Sequence, residues 1–188
     1  MDKPRLALEK AACRRGGRLL FENLSFTLGA GEAAIVTGPN GVGKSSLLRL
    51  AAGLLAPAAG RIDRSCAAAF ADEALALDQR LTLGRALGFW ARLDGGAAGA
   101  GMEAMGLMPL ARVPIRMLSA GQRKRAVLAR AIASGAPLWL LDEPSNGLDA
   151  EGQDRLQAAM AGHRGNGGAI LAASHTPLGL TGAAEIAL

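Results

Sequence analysis

Two stretches of this chain have residue types and spacing that could do chemistry together. Gly38-Pro39-Asn40-Gly41-Val42-Gly43-Lys44-Ser45 fits G-x-x-x-x-G-K-[ST] and falls between an apolar run over 33–37 and a helical run over 45–52. Glycines at these positions let the backbone curl so that its N–H groups point inward at phosphate oxygens. Lys44 would neutralise the terminal phosphates, and the Ser45 hydroxyl would reach Mg2+. The helix that follows adds partial positive charge at its N-terminus. Alone, the pattern could be a glycine-rich turn that happens to precede Lys and Ser; the flanking strand and helix argue for the phosphate loop.

The second stretch, Leu138-Trp139-Leu140-Leu141-Asp142-Glu143, is an apolar strand that ends in two carboxylates. Acids at the end of a buried strand are costly to desolvate unless a cation or water receives them. Asp142 is placed to hold Mg2+ through water, and Glu143 to take a proton from an attacking water; an acidic helix cap is the plainer alternative. A third segment, Leu118-Ser119-Ala120-Gly121-Gln122, precedes a helix whose face carries Val127, Leu128 and Ala131. A Ser hydroxyl and a Gly N–H at a helix start form an anion site, although by itself the segment would be an ordinary N-cap.

The elements that must hold these segments follow from periodicity. Strands are expected over 6–13, 19–28, 33–37, 66–71, 138–141 and 169–173, and helices over 45–52, 82–93, 102–108, 122–133 and 151–161. Strands alternating with helices predict an α/β fold with a mainly parallel sheet, an antiparallel N-terminal β edge and a small helical lobe over about 82–135. The GGAAGAG run at 95–101 reads as a flexible linker inside that lobe.

At 188 residues the chain is expected to form one domain, 1–188, with the lobe inserted. Aromatics are only 3% with no Tyr, so the core must be built from Ala, Leu, Val and Ile; charges of both signs exclude a disordered polyelectrolyte. A mean hydropathy of +0.21 raises the question of a membrane span, yet no run of about 18 apolar residues exists. Asp2, Lys3, Arg5, Glu9 and Lys10 occupy the place where a signal peptide needs its apolar stretch, so the chain is expected to stay in the cytoplasm. Cys13 and Cys66 are too few for a zinc site or disulfide framework and read as buried free thiols. The net charge of +5, with clusters at Arg14, Arg15, Arg18 and at Arg123, Lys124, Arg125, permits an anionic partner. Scarce aromatics and no base-reading module argue against nucleic acid.

GPNGVGKS, LSAGQ, LWLLDEP, NGLD and a strand ending in Ser174-His175, in that order, resemble the ATP-binding cassette (ABC) ATPases over nearly the whole chain. The resemblance implies a P-loop NTPase fold of ABC type with ATP and Mg2+ as cofactors. Gly38, Pro39, Asn40, Gly41, Val42, Gly43, Lys44, Ser45 and Ser46 would bind ATP, Ser45 and Asp142 would hold the metal, and Lys44, Glu143 and His175 would be catalytic. Ser119, Ala120, Gly121 and Gln122 would reach the nucleotide held by a second copy, and Asp149 would couple the two sites. A homodimer of cassettes during turnover, separate membrane-spanning permease subunits and a peripheral place on the cytoplasmic face of the inner membrane are implied as well.

Two positions depart from the family pattern. The register where such ATPases stack an aromatic on adenine falls on Arg15, while Phe21 and Phe26 read as strand-core residues. Arg15 or Arg14 could stack its guanidinium on the base, or simply form a solvated basic turn. The Gln usually found before the helical lobe is replaced by Glu73, with Asp72 adjacent and Gln79 a poorer substitute; Glu73 would face the metal as a charge.

Within the family, the compact lobe, LSAGQ followed by Arg123-Lys124-Arg125, and the SHTPLGL segment resemble the ATPase subunits of cytochrome c maturation, heme-exporting complexes. That implies ATP-driven dimer closure and opening that powers release of a heme-loaded chaperone. There is no C-x-x-C-H, and His163 reads as lying in a polar turn, so no direct heme binding is expected. The alternatives are the ATPase of an exporter for another substrate or a soluble ABC ATPase, the latter needing a coiled coil or second cassette.

Overall fold

The computed structural model describes residues 5–74 and 76–188. The apolar runs form strands and the mixed segments between them form helices: β1 (Leu6–Arg15), β2 (Arg18–Leu28), β3 (Ala33–Thr37), α1 (Lys44–Ala51), β4 (Ala59–Arg64), β5 (Ala68–Ala71), α2 (Leu83–Asp94), α3 (Ala98–Ala104), α4 (Ala120–Ala133), β6 (Leu138–Asp142), α5 (Ala150–Gly165), β7 (Ala169–Ala173) and β8 (Ala184–Ala187). A parallel sheet in the order β5-β6-β7-β3-β8 forms the centre, and β2-β1-β4 forms a separate antiparallel sheet.

Every residue of β6 and β7 is buried, and alternate side chains serve two cores. Leu138, Leu140 and Leu171 join Leu6 and Leu8 of β1 and Leu47 and Leu48 of α1 on one face. Trp139, Leu141 and Ile170 join Leu87, Val127 and Leu156 from α2, α4 and α5 on the other. The sheet's C-terminal edge therefore carries the β3–α1 turn, the end of β6 and the end of β7 side by side.

Several sequence expectations need correction. The antiparallel N-terminal edge is present as expected but gains a strand that periodicity passes over, β4, whose AGRIDR sequence is largely exposed and has no hydropathy signal. β8 also escapes periodicity, with only Ile186 buried. The helix expected over 102–108 lies earlier, at Ala98–Ala104, and the strand expected from residue 66 starts at Ala68. Cys13 is buried as expected, but Cys66 is only half-buried, its Sγ 3.9 Å from the Arg5 carbonyl. Of the N-terminal charges, Asp2 and Lys3 lie outside the described residues. Among the described residues, no helix is long and apolar enough to cross a membrane.

The glycine-rich run at 95–101 is not a linker. Gly95 ends α2 in the left-handed conformation (φ 73°), and α3 begins three residues later. Its glycines permit close approach: a Cβ on Gly96 or Gly101 would collide with the Ala133 or Ala129 carbonyl of α4. Gly101→Ala is thus expected to lower stability by about 1–3 kcal/mol through overpacking, despite alanine's better helix propensity. Gly99→Ala, where nothing lies within 4 Å, should be neutral or stabilising; equal urea midpoints for the two variants would refute this packing account.

Candidate active site

The β3–α1 turn owes its shape to glycine. Gly38 and Gly43 have φ of 134° and 128°, and a Cβ on Gly43 would press on Leu20 and the Phe21 ring at 3.2 Å. Val42 closes the turn by donating its N–H to the Pro39 carbonyl at 3.3 Å. Lys44 is only 8% exposed, and its Nζ donates to the carbonyls of Gly38 (2.8 Å) and Pro39 (3.3 Å). The turn walls a cleft of about 320 Å³ with Asn40, Gly41, Ser45 and Ser46 on one side, Asp142 and Glu143 across, and Leu20 at the margin.

Asp142 ends β6 in a buried position, and burial raises its carboxyl pKa, with Ser45 hydrogen bonding and the Arg49 charge working against the rise. Arg49 itself is paired with Asp72 at 3.5 Å. The geometry thus leaves a desolvated carboxylate beside a hydroxyl, two hard oxygen donors suited to a divalent cation that keeps water and phosphate as its other ligands.

Glu143 follows in a backbone conformation rare outside glycine, φ 45°. Its N–H donates to the Ala173 carbonyl at 2.9 Å, and its own carbonyl accepts from Lys124 Nζ at 2.8 Å. His175 Nδ1 lies 3.0 Å from Glu143 Oε1. Glu143 Oε2 is buried with no hydrogen-bond partner among the described residues. A carboxylate with one oxygen engaged and the other unpaired beside the phosphate turn is arranged to accept a proton.

Lys124 is the residue that sequence reading missed, having been counted only within a basic cluster. Its signal was helical spacing: it precedes Val127 and Leu128 by one turn and so shares the inward stripe of α4. Burial lowers its pKa, and the carboxylates of Glu73, Asp142, Asp72 and Glu143 oppose that shift. Glu73, proposed from sequence to face the metal, borders a neighbouring cavity of about 260 Å³ with Ala120, Arg123, Lys124, Val127 and Asn146. Glu73 does not line the phosphate cleft.

The LSAGQ segment forms a reciprocal cap. Gln122 N–H donates to Ser119 Oγ at 3.2 Å, and Ser119 N–H donates to Gln122 Oε1 at 2.9 Å. Gly121 approaches the Gly147 carbonyl, where a Cβ would sit 3.4 Å away. None of Ser119, Ala120, Gly121 and Gln122 lines the phosphate cleft of their own chain. Asp149 caps α5 by accepting from Gly152 N–H at 2.8 Å.

Arg15 is exposed where β1 turns into β2, opposite Arg18 in the strand register. Its charge opposes the burial that raises the Cys13 thiol pKa, and that thiol hydrogen-bonds with Ser46. From β2 it is Leu20, one residue before the half-buried Phe21, that reaches the cleft.

Residues 21–146 match the ABC transporter family. A cytochrome c biogenesis ATP-binding export protein, CcmA, of Sphingopyxis alaskensis is 57% identical over 186 residues, covering 97% of this chain and 96% of that protein. The protein of the same name from Novosphingobium aromaticivorans is 53% identical over 180 residues, covering 96% and 93%. In three dimensions, the ATP-binding subunit of an ABC transporter superposes with a TM-score of 0.82 at 23% identity over 90% of this chain and 79% of that one, a likeness of fold alone.

The other histidine is not in a polar turn. His163 lies in the last turn of α5, its ring stacked on Trp139 at 3.9 Å between centroids and 9° between planes. Its Nε2 is buried without a hydrogen-bond partner among the described residues. Burial, aided by the Arg5 charge, lowers its pKa. The folded chain therefore takes up this proton less readily than the unfolded chain, so stability is lost as pH falls below the ordinary value of about 6.5. The urea midpoint is expected to drop between pH values of about 7.5 and 5.5, and less steeply in His163→Gln, where this site no longer titrates. Parallel slopes in the two proteins would contradict it.

Proposed function

The chain belongs to the ABC transporter family, and from that premise we propose that it is the ATPase subunit of a heme-exporting complex of cytochrome c maturation. In this reading the cassette pair closes on ATP and opens after hydrolysis, and the cycle powers release of a heme-loaded chaperone. Identity of 53–57% to cytochrome c biogenesis export proteins over nearly the full chain supports the assignment. Residues 1–188 would act as one cassette with its lobe at 82–135, docked on separate permease subunits at the cytoplasmic face of the inner membrane.

The chemistry rests on one observation, the unpaired oxygen of Glu143 beside the phosphate turn. ATP would enter with its phosphates against the N–H groups of the turn and the Lys44 ammonium, whose carbonyl contacts keep it in the cleft. Glu143 would take a proton from the attacking water, and His175 would hold the carboxylate in place. Ser45 and Asp142 would hold Mg2+, which when bound neutralises charge on the phosphates. Ser119 and its neighbours, which do not line their own cleft, would complete the site of a second copy.

Two kinds of measurement test this reading. Glu143→Gln is expected to keep ATP affinity, lose about 10²- to 10⁴-fold in kcat and accumulate as an ATP-bound dimer on size exclusion. Lys44→Ala should instead weaken ATP binding about 10- to 100-fold by titration, the loss of a charge-assisted contact to phosphate. Undiminished turnover in the first would remove Glu143 as the base. Secondly, affinity purification from solubilised membranes should bring down heme-handling membrane subunits; recovery of a different permease would overturn the heme assignment.

A further inference from the structure

Glu143 can act as a base only if its carboxylate stays where the β6 strand delivers it, and its backbone does not favour that. A positive φ at a residue with a Cβ is unfavourable by roughly 1–3 kcal/mol and persists only where neighbours over-determine it. The side-chain direction is fixed by the two peptide planes that flank its Cα. The plane before it is held by the N–H bond to the Ala173 carbonyl. The plane after it joins Pro144, which has no N–H, so the Glu143 carbonyl is that peptide's sole polar handle. Lys124 grips it at 2.8 Å from a different element, the helix that begins beside Ser119.

We propose that Lys124 is a positioning residue for hydrolysis, its half-buried ammonium locking the Glu143–Pro144 peptide and thereby aiming the Glu143 carboxylate at the phosphate cleft. Glu73 borders the same cavity as Lys124 and is the foremost of the carboxylates that keep the ammonium charged there. The acid in place of the family's usual glutamine thus faces a lysine on α4. His175 secures the carboxylate itself, but its side chain is 57% exposed and touches the end that must respond to water and phosphate. The lysine holds the backbone, which need not move.

The proposal rests on Glu143 as the base, and the test separates the two. ATPase kinetics, ATP affinity by titration and thermal midpoints would be measured on the full chain for Lys124→Met, Lys124→Arg, Glu143→Gln and the Lys124→Met/Glu143→Gln pair. Lys124→Met is expected to lower kcat about tenfold, with ATP affinity within about twofold of the parent. Lys124→Arg, which can still donate to the carbonyl, should recover most of the rate. With Glu143→Gln already present, Lys124→Met should cost no further rate, since the lysine acts through that side chain. Unchanged kcat in Lys124→Met, a loss carried by ATP affinity, or the same loss on top of Glu143→Gln would each overturn the proposal. Parental turnover in Glu143→Gln would instead overturn the base assignment. If Lys124→Met does not fold, Lys124→Leu, which likewise cannot donate to the carbonyl, provides the same comparison, and a kcat equal to the parent's would be equally fatal.

Discussion

A fully buried strand, Leu138–Asp142, delivers two carboxylates to the edge of the parallel sheet, and most of the surrounding structure answers that placement. Apolar packing on both faces fixes the strand, so the acids cannot retreat to solvent without unpacking Leu138 through Leu141. Around them stand Ser45 and Arg49 of α1, Lys124 of α4 and His175 just after β7. Ser45 and Arg49 offset the desolvation of Asp142 without cancelling it, since burial still raises its pKa. A desolvated Asp142 beside a glycine-built turn makes each half of the cleft explain the other.

The same constraint decides what was legible in the sequence. β3, β6 and β7 are buried on both faces, so they read as unbroken apolar runs, and the phosphate turn reads directly because its glycines and Lys44 admit few substitutes. β4 and β8 lie at sheet edges, where one partner strand suffices and polar residues are tolerated, so hydropathy passes over them. The glycines at 96 and 101 have the composition of a linker but are required by a helix–helix approach that exists only in three dimensions. Lys124 was hidden differently: a basic cluster has one composition whether its members face water or the core, and only helical phase distinguishes them.

Position relative to the cleft also divides the expected site residues into two groups. The turn, Asp142, Glu143 and His175 meet at one edge of the sheet. Ser119, Ala120, Gly121 and Gln122 start α4, caught in their own capping bonds and against the Gly147 carbonyl, outside that cleft. A capping box fixes the helix start whether or not a ligand is near, so this segment is rigid and ready before any partner arrives. The proposed pairing of cassettes gives such preorganisation a use that the single chain does not.

The register at which the family resemblance leads one to expect an aromatic, Arg15, also has a structural answer. Leu20 of β2 reaches the cleft, while Arg15, at the end of β1, stands exposed. An aliphatic contact and a solvated guanidinium offer a purine little compared with a stacked ring. The strong contacts this chain would offer ATP therefore converge on its phosphates, through backbone N–H groups, the buried Lys44 and the start of α1. Contacts to the terminal phosphate are lost when it is cleaved, while those to the phosphates that remain on ADP persist, and the proposed cycle of closure and opening requires that difference.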